Sequence, residues 1–119
     1  MKKIFALSIF SSLLCTSVFA NEGRLAAQLA LHEALTNLSQ VEQAGILKIN
    51  EDAPIMADTT KKALIESNKL FLQFVDQECL SIVAEHAAGG SGMAEDFNHC
   101  KTDKINNRTI ELKSRFERN

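Results

Sequence analysis

Two interruptions divide the chain, and the stretches on either side of them carry helical spacing. Pro54, the single proline, stands in Asn50-Glu51-Asp52-Ala53-Pro54, and Gly89-Gly90-Ser91-Gly92 holds three of the five glycines. Proline pushes the residue before it out of the α region. Glycine suits the position just past a helix end, which makes Gly89 the expected C-terminal cap. Ala, Leu, Glu, Lys and Gln are abundant, which favours helix, and no run alternates as a half-buried strand would.

The spacing therefore predicts three helices. The first covers Glu22 to Glu51, with Leu25, Leu29, Leu35, Leu38, Val41, Ile46 and Ile49 on one face. The second begins between Pro54 and Thr59 and runs to about Ala87. Leu64, Phe71, Val75, Cys79, Ile82 and His86 form its stripe, and Leu70, Phe74 and Leu80 widen it enough to meet more than one neighbour. The third runs from Met93 to Phe116 and buries Phe97, Cys100, Ile105, Thr109, Leu112 and Phe116. Its first turn carries Glu95 and Asp96, where the helix dipole favours acid. A glycine turn makes the second and third helices antiparallel neighbours. The fold class expected is all-α: a small antiparallel helical bundle of three main helices with one inter-helix disulfide.

The N-terminal stretch has the layout of a secretory signal. Met1-Lys2-Lys3 is positive, Ile4 to Cys15 is largely apolar, and Val18-Phe19-Ala20 places small residues at −3 and −1 of a cut between Ala20 and Asn21. The apolar run is about a dozen residues, short of the ~20 that a bilayer span needs. Cys15 is a poor lipidation site, because Leu14 stands where a small residue is required. The expected domains are thus a signal peptide, 1–20, and one helical domain, 21–119, exported to the periplasm or outside the cell. About 99 residues leave little room for a second core.

Cleavage would leave Cys79 and Cys100 as an even pair, which in an oxidising compartment reads as a disulfide. Closing that loop of about 22 residues stabilises the fold by roughly 3 kcal/mol in the chain-entropy account. Cleavage also removes Lys2 and Lys3 from the 13 basic side chains, so that 11 face 15 acidic ones, a net charge of −4. A mildly acidic chain without a basic cluster has no electrostatic footprint for nucleic acid. It would suit a basic protein partner, because opposite charges raise the encounter rate, although a modest negative charge is also what solubility alone calls for.

Catalytic and metal chemistry find little support. Cys79, His86, His99 and Cys100 lie near one end of the expected hairpin, but neither pair has the close spacing of zinc ligands. Ser91 lacks the strand-to-helix context of a nucleophile elbow. The glycine run has no Walker lysine and no preceding strand. We expect no enzyme activity, no cofactor and no metal. Asn37-Leu38-Ser39 and Asn107-Arg108-Thr109 match the glycosylation triplet, but both fall within expected helices. Asp76 sits one turn before Cys79 and Arg108 two turns after Cys100, so an inter-helix Asp76–Arg108 ion pair is expected, the alternative being that the two form a polar element of a binding face.

From Leu64 onward the chain resembles the lysozyme inhibitor LprI N-terminal-like family of small exported bacterial proteins. That family carries L-x-x-A-Q-x-x-W-x-x-[FY]-R-D-x-x-C, then a Gly-Gly-Ser turn, then a cysteine followed by R-T-x-x-L. Here Leu64 to Cys79 follows the first piece, Gly89-Gly90-Ser91 the turn, and Cys100 with Arg108-Thr109-Ile110-Glu111-Leu112 the last. Phe71 takes the tryptophan position, Phe74 the second aromatic and Asp76 the motif aspartate. Ser67-Asn68 replaces Ala-Gln, Val75 replaces arginine, and residues 21–50 lack the family's N-terminal cysteines.

The resemblance implies a binding protein that inhibits lysozyme or a related cell-wall hydrolase by occluding its active site. A periplasmic immunity protein against a wall-degrading effector, or a structural envelope or stress protein, stays open beside it. The expected contact surface is the Gly89-Gly90-Ser91-Gly92 turn with Glu85, Glu95 and Asp96. Glycines permit close backbone approach to a cleft, and the acids give that end the sign a basic partner seeks.

Overall fold

The computed structural model describes residues 2–87 and 92–118, with side chains over 22–85 and 92–118. Three helices account for nearly all of them: α1 (Lys2–Asp52), α2 (Ala57–Ala87) and α3 (Met93–Glu117). The expected cap Gly89, with Gly90 and Ser91, lies outside the described residues, as does the side chain of His86.

The chain turns where proline requires it. The Ala53 N–H still donates to the Ile49 carbonyl at 3.0 Å. Pro54 has no N–H with which to continue, and the Met56 N–H closes the turn onto the Ala53 carbonyl at 3.2 Å. Helix resumes with Thr60 N–H on the Met56 carbonyl at 3.0 Å. At the other break Gly92 caps α3 in helical geometry, φ −85° and ψ 0°, with no side-chain cap. The Asp96 N–H donates to its carbonyl at 3.0 Å.

One boundary differs from the expectation. α1 begins at Lys2, not Glu22. Nothing between Ala20 and Glu22 breaks a helix, and the leucines, alanines and phenylalanines before them are compatible with one. Its 51 residues, at about 1.5 Å each, account for most of the molecule's 81 Å length.

The helices run up, down and up. Gly23 of α1 lies against Glu95 near the start of α3, and Gly45 lies under Phe116 near its end, so α1 and α3 are parallel. α2 runs antiparallel to α3, with Cys79 opposite Cys100 and Ser67-Asn68 opposite Arg108. The result is an all-α three-helix bundle whose main core joins Ala34, Leu38, Val41 and Ile49 of α1, Ala57 and Leu64 of α2, and Ile105 and Leu112 of α3. Each large side chain in it contributes roughly 1.5–3 kcal/mol by leaving water.

The α1–α3 seam rests on small residues. Ala27 and Ala34 of α1 are buried at seven-residue spacing with Val41, whereas Leu25, Leu29 and Leu35, expected in the core, are exposed. Leu29 leaves 63% of its surface to solvent. On α3 the buried Thr102 and Thr109 precede the half-buried Phe116 at the same spacing. Each threonine hydroxyl donates to a carbonyl one turn back, Asn98 at 2.8 Å and Ile105 at 3.1 Å, so neither brings an unpaired polar atom into the seam. Small side chains let parallel helices approach closely, and that approach turns the leucines outward.

α2 corrects the expectation in the same way. Its buried line is Ala57, Leu64, Asn68, Val75, Cys79 and Val83. Phe71 is half-buried against the core. Phe74, expected to face the core beside it, is 57% exposed, and Leu70, Leu80 and Ile82 are exposed too. The wider stripe exceeds what two neighbouring helices can cover.

Candidate functional site: the hairpin end and the junction beneath it

The disulfide links Cys79 of α2 to Cys100 of α3, with Cα atoms 5.7 Å apart, inside the range that bridging allows. Cys79 is fully buried. Two ion pairs flank the bridge: Lys101 Nζ to Asp76 Oδ1 at 2.6 Å and Lys104 Nζ to Glu78 Oε2 at 3.1 Å. Lys101 also lies 5.1 Å above the Phe97 ring. Half-exposed pairs such as these contribute about 0–1 kcal/mol each. The covalent link is the stronger constraint on this end.

Beyond the bridge lies the surface expected to meet a partner. Of its turn, Gly92 is exposed, while Gly89, Gly90 and Ser91 fall outside the described residues. Glu85 and Asp96 are exposed on the last turn of α2 and the first turn of α3. Glu95 is half-buried: its carboxylate lies near Gly23 of α1 and 3.6 Å from His99 Nε2, with 41% of the side chain open to solvent. Glu85 and Asp96 are therefore open to a partner, and Glu95 partly so. Among the described residues no three acidic, histidine or cysteine side chains are placed to hold a metal.

The expected Asp76–Arg108 pair does not form. Asp76 takes Lys101 instead, for a reason of register. With Cys79 opposite Cys100 in antiparallel helices, Asp76 is level with the turn after Cys100, which Lys101 occupies. Arg108 lies about 7 Å farther along the axis at 1.5 Å per residue.

Arg108 instead completes a junction of all three helices that periodicity did not reveal. Its Nε donates to Asn68 Oδ1 at 3.1 Å, its Nη2 to Ser67 Oγ at 2.7 Å and its Nη1 to Glu111 Oε1 at 3.3 Å. The guanidinium stacks 5.6 Å from the centre of the Phe71 ring. Asn68, only 2% exposed, turns its Nδ2 to Glu42 Oε2 of α1 at 2.8 Å. The buried amide thus donates to one charged group and accepts from another, which leaves it satisfied at a site where an unpaired amide would cost several kcal/mol. The signal that could have found it is a polar residue at a core position, four after Leu64 and seven before Val75.

The same level divides the charge. Residues 21–44 and 69–107, the larger part of the bundle, toward the hairpin end, carry nine acidic and four basic side chains, a net −5, or −3 when Lys2 and Lys3 of α1 are counted with them. Residues 45–68 and 108–119 carry six acidic and seven basic ones, a net +1. All of the net negative charge lies toward the hairpin end.

Fold and site define a disulfide-stapled three-helix bundle with an acidic end. No protein-family model, curated protein or solved structure matches the chain. Among the described residues no helix is long and apolar enough to cross a membrane.

Proposed function

We propose that the chain is exported, loses residues 1–20, and acts as a binding protein that inhibits lysozyme or a related cell-wall hydrolase by active-site occlusion. The observation that carries this reading is the charge division: once residues 1–20 are lost, a net −5 on residues 21–44 and 69–107, the part of the bundle toward the glycine-rich segment. A basic hydrolase would be drawn to that part first. Glu85 and Asp96 flank the turn and are exposed to meet it. The resemblance from Leu64 to Leu112 supports the same reading, and its motif residues Phe71, Cys79, Cys100 and Arg108 all belong to the α2–α3 hairpin that carries this end.

The physical account is occlusion. A glycine turn lets backbone enter a cleft that side chains would block. The flanking carboxylates pair with cationic groups at its mouth, and the disulfide lowers the entropy lost on docking. A lysozyme turnover assay with the wild type and Ser91→Arg tests it. Wild-type protein should slow wall hydrolysis and Ser91→Arg should not. If the wild type leaves hydrolysis untouched across several muramidase classes, the inhibitor reading fails. If both proteins inhibit equally, the turn is not the contact.

A further inference from the structure

The carboxylate of Glu95, in the first turn of α3, stands beside the backbone of α1 at its one glycine in that region. A Cβ added to Gly23 would meet Oε1 and Oε2 of Glu95 at 3.4 Å each. Among the described residues the ion-pair contact of this carboxylate is His99 Nε2 at 3.6 Å, longer than a hydrogen bond. The acid is thus held against α1 without a close donor.

Cleavage after Ala20 would supply donors at that place. In the unbroken α1 the N–H groups of residues 21–24 donate to the carbonyls of residues 17–20. Loss of residues 1–20 removes all four acceptors. Residues 22–24 then keep N–H groups with no partner in the helix, and Asn21 gains a positive amino group. Residue 21 lies only about 3 Å from Gly23 along the axis. The new charge and the freed donors therefore open beside the acid that lacks a close donor.

We propose that Glu95 receives the amino terminus that cleavage creates. Its carboxylate takes the ammonium of Asn21 and the N–H of Gly23, and so fastens the start of mature α1 to the hairpin end. Hydrogen bonds to an ionised group are shorter and stronger than neutral ones, and an acid at a helix N-terminus also faces the positive end of the dipole. Glycine at 23 serves the contact, because a larger side chain would stand between carboxylate and backbone. Glu22 is the competing acid, but it is exposed and belongs to α1, so a pair with it would join α1 to nothing. In the uncleaved chain the Gly23 N–H is committed to its own helix, so the fastening belongs to the mature protein alone. The inference rests on the proposed loss of residues 1–20 and deepens that reading: Glu95 is taken up internally, and Glu85 and Asp96 are left to meet a partner.

The full chain is expressed with export, and the first residue of the processed protein is read by N-terminal sequencing. Treatment with a water-soluble carbodiimide, which couples a carboxylate to an amine in contact with it, should join the amino group of Asn21 to Glu95. Mass spectrometry of the digested protein locates that link, which Glu95→Gln should abolish. Exchange of the Gly23 amide proton with water, read by NMR, should be at least about fivefold faster in Glu95→Ala, the size of a lost helix cap. Asp96→Ala removes an acid from the same turn of α3 and should leave that exchange unchanged. His99→Ala should leave it unchanged too. Circular dichroism checks that each variant is folded, and the crosslink in the wild type needs no variant.

A processed chain that begins at any residue other than Asn21 overturns both the cleavage reading and this inference. With Asn21 first, the inference alone is overturned if carbodiimide joins the amino group only to Glu22 or to no acid. It is also overturned if Gly23 exchanges equally fast with and without Glu95, or if Asp96→Ala accelerates that exchange as much as Glu95→Ala.

Discussion

Gly45→Ala should destabilise this protein, although alanine is the better helix former. Glycine in the middle of α1 costs about 0.5–1 kcal/mol relative to alanine. A methyl group there would stand 2.7 Å from Cζ and 3.0 Å from Cδ2 of the Phe116 ring, closer than carbon atoms can lie. The ring must move, and Phe116 packs against the core. Overpacking of this kind costs roughly 1–3 kcal/mol. Set against the helix-propensity gain, the net expectation is a loss of about 0.5–2 kcal/mol, or several degrees in Tm for a domain of this size. In a Phe116→Ala background the obstruction is gone, and the same substitution should stabilise by about 0.5–1 kcal/mol. Urea denaturation of the four proteins in this double-mutant cycle isolates the coupling, expected at about 1–3 kcal/mol. If Gly45→Ala stabilises by the same amount in both backgrounds, Phe116 does not lie on Gly45, and the parallel pairing of α1 and α3 loses one of its two anchors.

Reduction of Cys79–Cys100, or Cys79→Ser, should cost roughly 3 kcal/mol by chemical denaturation, and the mass of the unreduced protein should lie 2 Da below that of the reduced form. Asn68→Ala should cost about 2–3 kcal/mol, because it leaves both Glu42 and the Nε of Arg108 without their partner; a change under ~0.5 kcal/mol would mean that water replaces the amide at no loss. Phe71→Ala should cost about 2 kcal/mol, and Phe74→Ala less than ~1, as their burial differs; equal losses would refute that placement.

Where the chain breaks was legible, and which face it buries was only partly so. Pro54 acts through local backbone geometry, so the sequence reveals it directly. The buried faces depend on how closely helices approach. Hydrophobic patterning weights large residues and so nominated Leu25, Leu29 and Leu35, but α1 meets α3 along Gly23, Ala27, Ala34 and Gly45, residues that such patterning scarcely counts. The seven-residue spacing of Thr102, Thr109 and Phe116 is visible in the sequence, but two hydroxyls disguise it as a polar face until each is seen bonded to its own helix. A helix pair that selects small residues on one side and satisfied threonines on the other conceals its seam from any reading based on size and polarity alone.

The same distinction separates the disulfide from the junction at Asn68. Cys79 and Cys100 could be paired by counting, because after the expected cleavage each has only the other. Asp76 and Arg108 could not, because a charged residue has many candidate partners and axial register chooses among them. Axial register gives Asp76 to Lys101 and, two turns farther along α3, gives Arg108 to Asn68, Ser67 and Glu111. The consequence reaches α1: once Arg108 holds Asn68 from α3, the amide is oriented to bind Glu42, and a contact misassigned on the α2–α3 face conceals a bond on the α1–α2 face. Because the junction contains one buried amide between an acid and a guanidinium, sliding any helix by a turn would leave that amide without its partners. That gives Asn68 the part of a register key among the three helices, beside the Gly45–Phe116 contact that sets α1 against α3.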